Sequence, residues 1–442
     1  MKQAAISVVG TLRQKGHEAY LVGGCVRDIL LGREPEDYDV ATDATPEEVM
    51  RIFPRTYAVG VQFGVVLVAP NQGDTTIEVA TFRSDGLYSD GRHPDEVRFT
   101  KSAEEDVRRR DFTINGLLFD PLNNDEVLDF VGGRDDLKAK VIRTIGNPAR
   151  RFQEDKLRML RAVRFAARFG YAIAPETLRA IQSLADQISQ VSNERIRDEL
   201  TKMMTEGKAR RAFELLDETE LLAHVLPEVA KYKGVEQPPE FHPEGDVWTH
   251  TLMMLDGLPA GASATLAWSV LLHDVGKPPT FRRAPDRIRF DNHADIGAKM
   301  AEEIGRRLRM SNDEIEQIVS VVAQHMKFPE LPKMRESTLK RFLRQPGFEE
   351  HLEMHRLDCL SSHRDLTLQE FAQKKLAEIP EEQIRPVPLV TGKDLIAAGY
   401  APGPRFKKIL SEVEDAQLEG TVHTRDEAME FVLQRFGGPG CP

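Results

Sequence analysis

Three cysteines in 442 residues, Cys25, Cys359 and Cys441, are too few and too widely spaced for a disulfide framework or a thiolate zinc site. No run of 18 or more apolar residues occurs, which excludes an obvious membrane-spanning helix. The opening stretch Met1-Lys2-Gln3-Ala4-Ala5-Ile6 lacks the apolar centre of a secretory signal. These absences predict a protein of the reducing cytoplasm, with no membrane partner. Positive charge is also in deficit: 60 Lys and Arg face 71 Asp and Glu, a formal net charge of −11. That balance excludes indiscriminate nucleic-acid binding, though not a local basic surface. Such a surface exists between Arg134 and Arg168, where 11 Lys and Arg face 4 Asp and Glu. The chain is built to meet a polyanion in one place. Internal repeats and low-complexity tracts are missing as well, and nothing indicates a protein partner.

What is present divides into a mixed first part and a helical remainder. Residues 2–15 carry Ile6, Val9 and Leu12 at helical spacing. Strand-like stretches follow at 18–22, 37–42, 63–69, 75–81 and 116–120, and Thr45-Pro46-Glu47-Glu48 reads as a helix start. Beyond Pro148 the pattern becomes helical, with predicted helices over 154–169, 175–188, 193–206 and 208–217. Gln237-Pro238-Pro239 marks a boundary before a histidine-rich helical block, and further helices are predicted around 403–417 and 425–435.

Two acidic residues, Asp37 and Asp39, carry the strongest chemical signal. In a strand, residues i and i+2 share a face, so both carboxylates would aim at one spot. Hard oxygen ligands at one point suit Mg²⁺ together with phosphate oxygens. Upstream, Gly23-Gly24 reads as a turn whose backbone N–H groups can approach a triphosphate. An Asp-x-Asp or a Gly-Gly alone is most often an ordinary turn; the combination gives it meaning. Glu78, on the 75–81 strand, is a candidate third carboxylate or a plain surface residue.

Arg108-Arg109-Arg110-Asp111 adjoins the apolar Phe112-Thr113-Ile114 run, so part of this cluster is expected to point inward, where arginine forks clamp phosphate or ribose oxygens. Asp111 would orient one fork or hold the ribose. Glu154-Asp155-Lys156-Leu157-Arg158 reads as the start of one helix with Asp155 and Arg158 at i, i+3. One reading is a helix-stabilising ion pair. The other is a base reader: a carboxylate accepting from an exocyclic amino group beside an arginine donating to a ring nitrogen selects cytosine and adenine over guanine and uracil. Arg161 and Arg164 extend the basic stripe.

Taken in order, Gly23-Gly24-x-x-Arg27-Asp28, Asp37-x-Asp39, Arg109-Arg110-Asp111-Phe112-Thr113-Ile114-Asn115 and Glu154-Asp155-x-x-Arg158 resemble the motifs of the class II tRNA nucleotidyltransferase and bacterial poly(A) polymerase family. Asp129-Phe130-Val131-Gly132-Gly133-Arg134 resembles a hinge-like motif between them. The resemblance covers about 20–215 closely and the rest more loosely. It implies an α+β fold: a polymerase-β-like head (mixed sheet with helices), an all-α neck and body, an HD-type helical domain and a helical tail. The corresponding expected boundaries are 1–147, 148–236, 237–366 and 367–442. It further implies that Asp37 and Asp39 bind Mg²⁺ in two-metal transfer, that Gly24, Arg27, Arg110, Arg161 and Arg164 hold the nucleotide, and that Asp155 and Arg158 template the base. The implied substrates are tRNA, CTP and ATP. The polar segment Arg83–Glu96 resembles the loop of CCA-adding members, which favours full CCA or terminal-A addition over CC addition. A poly(A) polymerase of the same fold is the nearest alternative. The histidine block supplies another: His250, His273, Asp274, His293, His325 and Asp358 resemble, in order, the ligand set of an HD-type phosphohydrolase. Such a site would take Mn, Fe, Ni, Co or Zn and attack a phosphoester with bound water, the head then serving only as an RNA-binding module. His242, His351, His355 and His363 are given no role. The Gly399–Lys408 segment resembles the tail of family members and is read as a helix-starting turn, or as a contact for RNA phosphate.

Overall fold

The computed structural model describes residues 1–59, 61–70, 75–85 and 97–438. Two compact units emerge, Met1–Ala230 with Pro259–Gly261, and Lys231–Leu258 with Ala262–Pro442.

The first unit opens with α1 (Lys2–Gln14), whose Ala4, Ala5, Val8, Val9 and Leu12 share the buried face. The head sheet follows as β1 (Ala19–Val22), β2 (Asp39–Thr42), β3 (Thr56–Tyr57), β4 (Val65–Val68), β5 (Ile77–Thr81), a separate hairpin β6 (Arg83–Asp85) and β7 (Val97–Phe99), then β8 (Leu117–Asp120) and β9 (Glu126–Asp129). The seven-stranded sheet runs β3-β4-β5-β2-β1-β8-β9. Within this sheet, among the described residues, only β2 and β5 pair in parallel, and their register sets Asp39 opposite Glu78. Between β1 and β2 lies α2 (Gly24–Leu30). After β2, α3 (Pro46–Ile52) begins with a full capping box: Thr45 Oγ1 accepts from Glu48 N, Glu48 returns a carboxylate to Thr45 N, and Pro46 sits at the first helical position. Short α4 (Ala103–Arg108) packs its Ala103 and Val107 with Val22, Ala41, Phe82 and Leu118 of the sheet side.

The predicted strand over 37–42 begins only at Asp39; Asp37 lies ahead of it, exposed. The Gly-Gly turn is also more than a turn. Gly23, at φ +77°, caps α2 and Gly24 is its first residue, so the chain reverses at a backbone angle that only glycine adopts cheaply. In the hinge-like motif, Asp129 accepts from the backbone N–H groups of Val131, Gly132, Gly133 and Arg134, which starts α5 (Gly133–Ala139). A Cβ on Gly133 would strike the carbonyl oxygen of Thr113, so the tight approach of this turn to the Phe112–Asn115 segment requires glycine there.

The largest departure from the expected pattern falls at Asp155. The single helix predicted over 154–169 is two: α6 (Pro148–Glu154) and α7 (Leu157–Phe169). Asp155 is extended at φ −145°, and its carboxylate accepts from Leu157 N at 3.1 Å. A short side chain that bonds the backbone two residues on competes with helix continuation, which is why the periodicity runs through while the hydrogen-bond ladder does not. Downstream, α8 (Pro175–Leu184) passes into a 3₁₀ turn at Ala185–Gln190, followed by α9 (Asn193–Thr205), α10 (Ala209–Glu218), α11 (Leu222–Val225) and α12 (Pro227–Ala230). Short β10 (Val141–Ile142) and β11 (Ala172–Ile173) pair in parallel.

The second unit is helical: α13 (Val247–Asp256), α14 (Ala264–Leu272), α15 (Lys277–Thr280), a hairpin of β12 (Phe281–Arg283) and β13 (Ile288–Phe290), α16 (His293–Arg307), α17 (Asn312–Gln324), a 3₁₀ segment His325–Lys333, α18 (Glu336–Leu343) and α19 (Phe348–Ser361). The tail adds α20 (Thr367–Glu378), α21 (Glu381–Ile384), α22 (Gly392–Ala397), α23 (Pro404–Leu418) and α24 (Arg425–Phe436), with its own core of Leu395, Tyr400, Ile409, Val413 and Val432. Pro404 begins α23, so the Gly399–Lys408 segment is a helix start, as read from the sequence. Among the described residues, no helix is long and apolar enough to cross a membrane. Cys25 and Cys359 are buried free thiols, and Cys441 lies outside the described residues.

Candidate functional site

A cavity of about 470 Å³ in the first unit gathers residues from five sequence segments: Gly23, Gly24 and Arg27; Asp39; Arg109, Arg110, Asp111 and Asn115; Asp155, Arg158 and Arg161; and Phe165. A second cavity shares Gly24, Arg27 and Asp39 and adds Asp37, Arg33 and Arg168. Asp39 and Arg27 thus stand on the wall between the two.

Each polar group in this region has a defined support. Arg27 is buried, donates from Nη1 to Asn115 Oδ1 at 2.8 Å and from Nε to Asp28 at 2.9 Å, and lies over the Phe169 ring at 4.6 Å. Arg109 and Arg110 both pair with Asp106, whose side chain is 1% exposed. Asp111 accepts from Asn115 Nδ2 at 3.1 Å on one oxygen and from Arg161 at 2.9 and 2.7 Å on the other. The fork that Asp111 orients therefore belongs to Arg161, from a helix 50 residues on, rather than to the neighbouring arginine cluster. Burial opposes ionisation of Asp111, yet Arg161 outweighs it and holds the carboxyl at about 2.

Asp39 shows the opposite balance. Burial first, and the nearby Glu78 and Asp37 carboxylates next, push it up to about 6 against the pull of Arg110. Glu78, on the exposed face of β5, is raised too, by partial loss of hydration and by Asp37, against the pull of Arg110. The raised proton affinity of Asp39 and Glu78, with Asp37 next to them, marks a place where positive charge is favourable, and hard oxygen donors suit Mg²⁺. The donor type suits such an ion, but among the described residues Asp37, Asp39 and Glu78 do not converge into a closed set of three ligands.

The two base-reading candidates both line the larger cavity, but they do not pair with each other as i, i+3 partners on one helix would. Asp155 is held by Arg195 of α9 at 2.9 and 3.2 Å, and Arg158 donates to Glu154 at 3.2 Å and to the Arg109 carbonyl at 3.3 Å. The helix break at Asp155 separates them. Arg164 is not among the residues lining either cavity. It turns from the stripe into a buried ion pair with Glu199 at 2.7 Å, from the inner face of α7. Asn115, Phe165, Arg195 and Glu199 received no role from sequence reasoning, and no motif spacing points to the last three. The segment Arg83–Glu96 lies outside the described residues from Gly86 onward.

The second unit brings the histidine-block residues together. Nε2 of His273 lies 3.0 Å from Asp274 Oδ2; Nε2 of His293 lies 3.3 Å from His325 Nε2 and 3.7 Å from Asp274 Oδ1; and Nε2 of His250 lies 3.2 Å from Asp358 Oδ1. The opposite nitrogens are anchored: Nδ1 of His273, His293 and His325 contact the carbonyls of Val270, Phe290 and Val322. His250 Nδ1 meets Glu244 at 2.6 Å instead. Nδ1–H donation to a carbonyl leaves each Nε2 lone pair turned inward, the arrangement found behind metal-ligating histidines. His250 Nε2, His273 Nε2 and Asp274 Oδ1 are buried without a well-formed hydrogen bond. Buried nitrogen and carboxylate oxygen atoms that face one another without hydrogen-bond partners are the kind of donors a borderline transition ion takes. Burial works against a charged His250, but Asp358 and Glu244 outweigh it and hold the ring at about 9, whereas burial and His273 press His325 down to about 3. A cavity of about 340 Å³ opens onto this cluster. Of the four histidines given no role, His242 shares Glu244 with His250, His355 stacks on Phe328, and His351 is buried near Ser320. His242, His355 and His363 line the cavity. The spacing His242-x-Glu244-x₅-His250 was the signal available for Glu244.

Residues 19–143 match the family described as poly A polymerase head domain, 170–233 the probable RNA and SrmB-binding site of polymerase A, and 246–356 the HD domain. The sheet, the helical body and the histidine cluster thus correspond to a poly(A)-polymerase-type head, its RNA-binding region and an HD-type block. The CCA-adding enzyme of Bacillus cereus (strain AH187) is 32% identical over 435 residues, 97% of each chain. That of Geobacillus stearothermophilus is 46% identical over 228 residues, 52% of this chain, so the aligned part spans about half (55%) of that relative. The crystal structure of Bacillus stearothermophilus CCA-adding enzyme in complex with CTP superposes with a TM-score of 0.74 at 29% identity, covering 98% of both chains. The Thermotoga maritima CCA-adding enzyme complexed with tRNA shares the fold at a TM-score of 0.57 and 21% identity. The chain belongs to the family of CCA-adding enzymes.

Proposed function

We propose that this protein is a cytoplasmic tRNA nucleotidyltransferase that adds C, C and A to the tRNA 3′ end from CTP and ATP, choosing the base with protein side chains. The single observation that carries this reading is the cavity that places Asp39, the Gly23–Gly24 reversal, five arginines and the Asp155–Arg158 segment around one space. Asp37 and Asp39, with Glu78 beside them, would hold Mg²⁺. The bound ion would supply activation of the RNA 3′-hydroxyl and neutralisation of the pyrophosphate charge. Arg27, Arg110 and Arg161 bind triphosphate and ribose oxygens, each pre-aimed by Asp28, Asp106 or Asp111. Asp155 accepts from the amino group of cytosine or adenine and Arg158 donates to the ring nitrogen. The helices after Pro148 receive the acceptor arm by shape and phosphate contact, and the four segments 1–147, 148–236, 237–366 and 367–442 act as head, neck and body, HD-type unit and tail.

The unpartnered buried nitrogen and oxygen atoms of the second unit favour an additional reading, a metal-dependent phosphohydrolase site held by His250, His273, Asp274, His293, His325 and Asp358. A bound Ni, Mn, Co, Fe or Zn ion would there supply an activated water for attack on a phosphoester. Purified protein incubated with Mg²⁺, tRNA lacking its CCA end and one labelled nucleotide at a time tests the main reading. Sequential incorporation of CTP and then a single ATP is the expected result. Long A tracts would mean poly(A) synthesis, and a single A accepted only by a CC end would mean terminal-A addition. Opening of 2′,3′-cyclic phosphate ends to a terminal monophosphate, or release of phosphate from a monophosphate end, abolished by chelation, tests the second.

A further inference from the structure

The geometry points to Arg195 as a positioning residue for base choice: it clamps the Asp155 carboxylate so that one acceptor position stays turned to the nucleotide cavity. This rests on the reading of Asp155 as the base-selecting carboxylate.

Asp155 sits in the break between α6 and α7, where no helix fixes its side chain. An ionised carboxylate offers about four acceptor positions. Leu157 N–H occupies one, on Oδ1 at 3.1 Å. Arg195 Nη2 reaches both oxygens, at 3.2 and 2.9 Å. These contacts stop the carboxylate from rotating about its Cβ–Cγ bond and leave about one acceptor position for a ligand, while Asp155 itself lines the cavity. A freely turning carboxylate would accept from any donor, including the ring N–H of uracil or guanine. A fixed one accepts only where an exocyclic amino group sits.

The placement of Arg195 argues that this contact, rather than helix stability, explains the residue. It is the third residue of α9 after the Ser192 cap, in the first turn. A cation there opposes the helix dipole. Its side chain is nonetheless mostly covered, at 22% exposure, with Asp155 as its partner at 17%. The arginine does not line the cavity, so it acts through Asp155.

The test is steady-state addition by full-length Arg195→Met, which keeps the apolar stem, and Arg195→Lys, with tRNA acceptors ending in C74 or C75 and each of CTP, ATP, UTP and GTP. Arg195→Met is expected to lower kcat/KM for the correct nucleotide about tenfold, mainly through KM, while UTP and GTP change less than about twofold, so that discrimination falls. Arg195→Lys restores discrimination in part, because an ammonium offers charge without the fork. Melting temperature and tRNA affinity are measured alongside. Equal loss for all four nucleotides, or a drop in melting temperature with unchanged discrimination in both variants, would overturn the proposal and leave Arg195 a tie between helices. Absence of C or A addition by the unaltered protein would instead remove the functional reading beneath it.

Discussion

Replacing Arg164 with methionine separates two uses of one arginine. The resemblance places Arg164 on the nucleotide, whereas the structure gives it Glu199 at 2.7 Å, with side chains only 7% and 5% exposed, and Glu206 at 3.5 Å. Removing one member of a buried ion pair strands the other charge and costs ~3–5 kcal/mol, whereas replacing both with well-packed apolar groups is close to neutral. For a unit of this size, one kcal/mol moves the midpoint by roughly 2–4 °C, so Arg164→Met should lower the transition of the first unit by roughly 6–20 °C. The double variant Arg164→Met/Glu199→Leu should recover most of that loss. Differential scanning calorimetry gives the midpoints, and CTP titrations at a temperature where all variants are folded give KM. The double variant is expected to keep KM for CTP within about twofold of the parent. A single variant that melts normally while KM rises tenfold or more would refute the assignment and put the guanidinium on phosphate.

Asp39→Asn should abolish nucleotide addition, by at least about a thousandfold, while tRNA affinity changes little, because only the metal-facing carboxylate is lost; retained turnover would remove it from the metal site. The Asp111 carboxyl, held at about 2 instead of its ordinary 3.8, makes a contribution of about 2 kcal/mol that is fully present above pH ~4 and lost as the pH falls through ~2. The stability gap between the parent and Asp111→Asn in acid urea titrations should therefore close across that interval, and a gap independent of pH would contradict the Arg161 pairing. Joint replacement of His273 and Asp274 by alanine should strip transition metal from the second unit, read by elemental analysis, and leave CCA addition intact. Loss of both would mean that the second site is needed for the first.

How far the sequence carries depends on what kind of information each residue uses. The capping box at Thr45 is local, and the pattern Thr-Pro-Glu-Glu states it completely. The ends of α23 and α24 shift by only a residue or so from expectation for the same reason. The head's carboxylates were also readable, since Asp39 keeps its strand; Asp37 left it because β2 has partners only from Asp39 onward. The break at Asp155 was hidden, because apolar periodicity continues through it and only the carboxylate's bond to Leu157 N reveals it. Arg195 and Glu199 were invisible for another reason: each earns its place by meeting a side chain 35 to 40 residues away, and no spacing rule reports such a pair. His242 and Glu244 fell between, locally spaced but without a repeat to mark them.

Three imidazoles of the second unit owe their pose to carbonyls of their own backbone, three residues upstream in each case. The rings are thus set by the ends of two helices and of strand β13 before any guest arrives. A socket finished in advance spends little of an ion's affinity on ordering ligands, and it also has little means of rejecting a near-fit. Protein grown in nickel-rich and in manganese-rich medium should therefore carry different ions on one and the same scaffold, with superimposable near-ultraviolet circular dichroism once both are stripped.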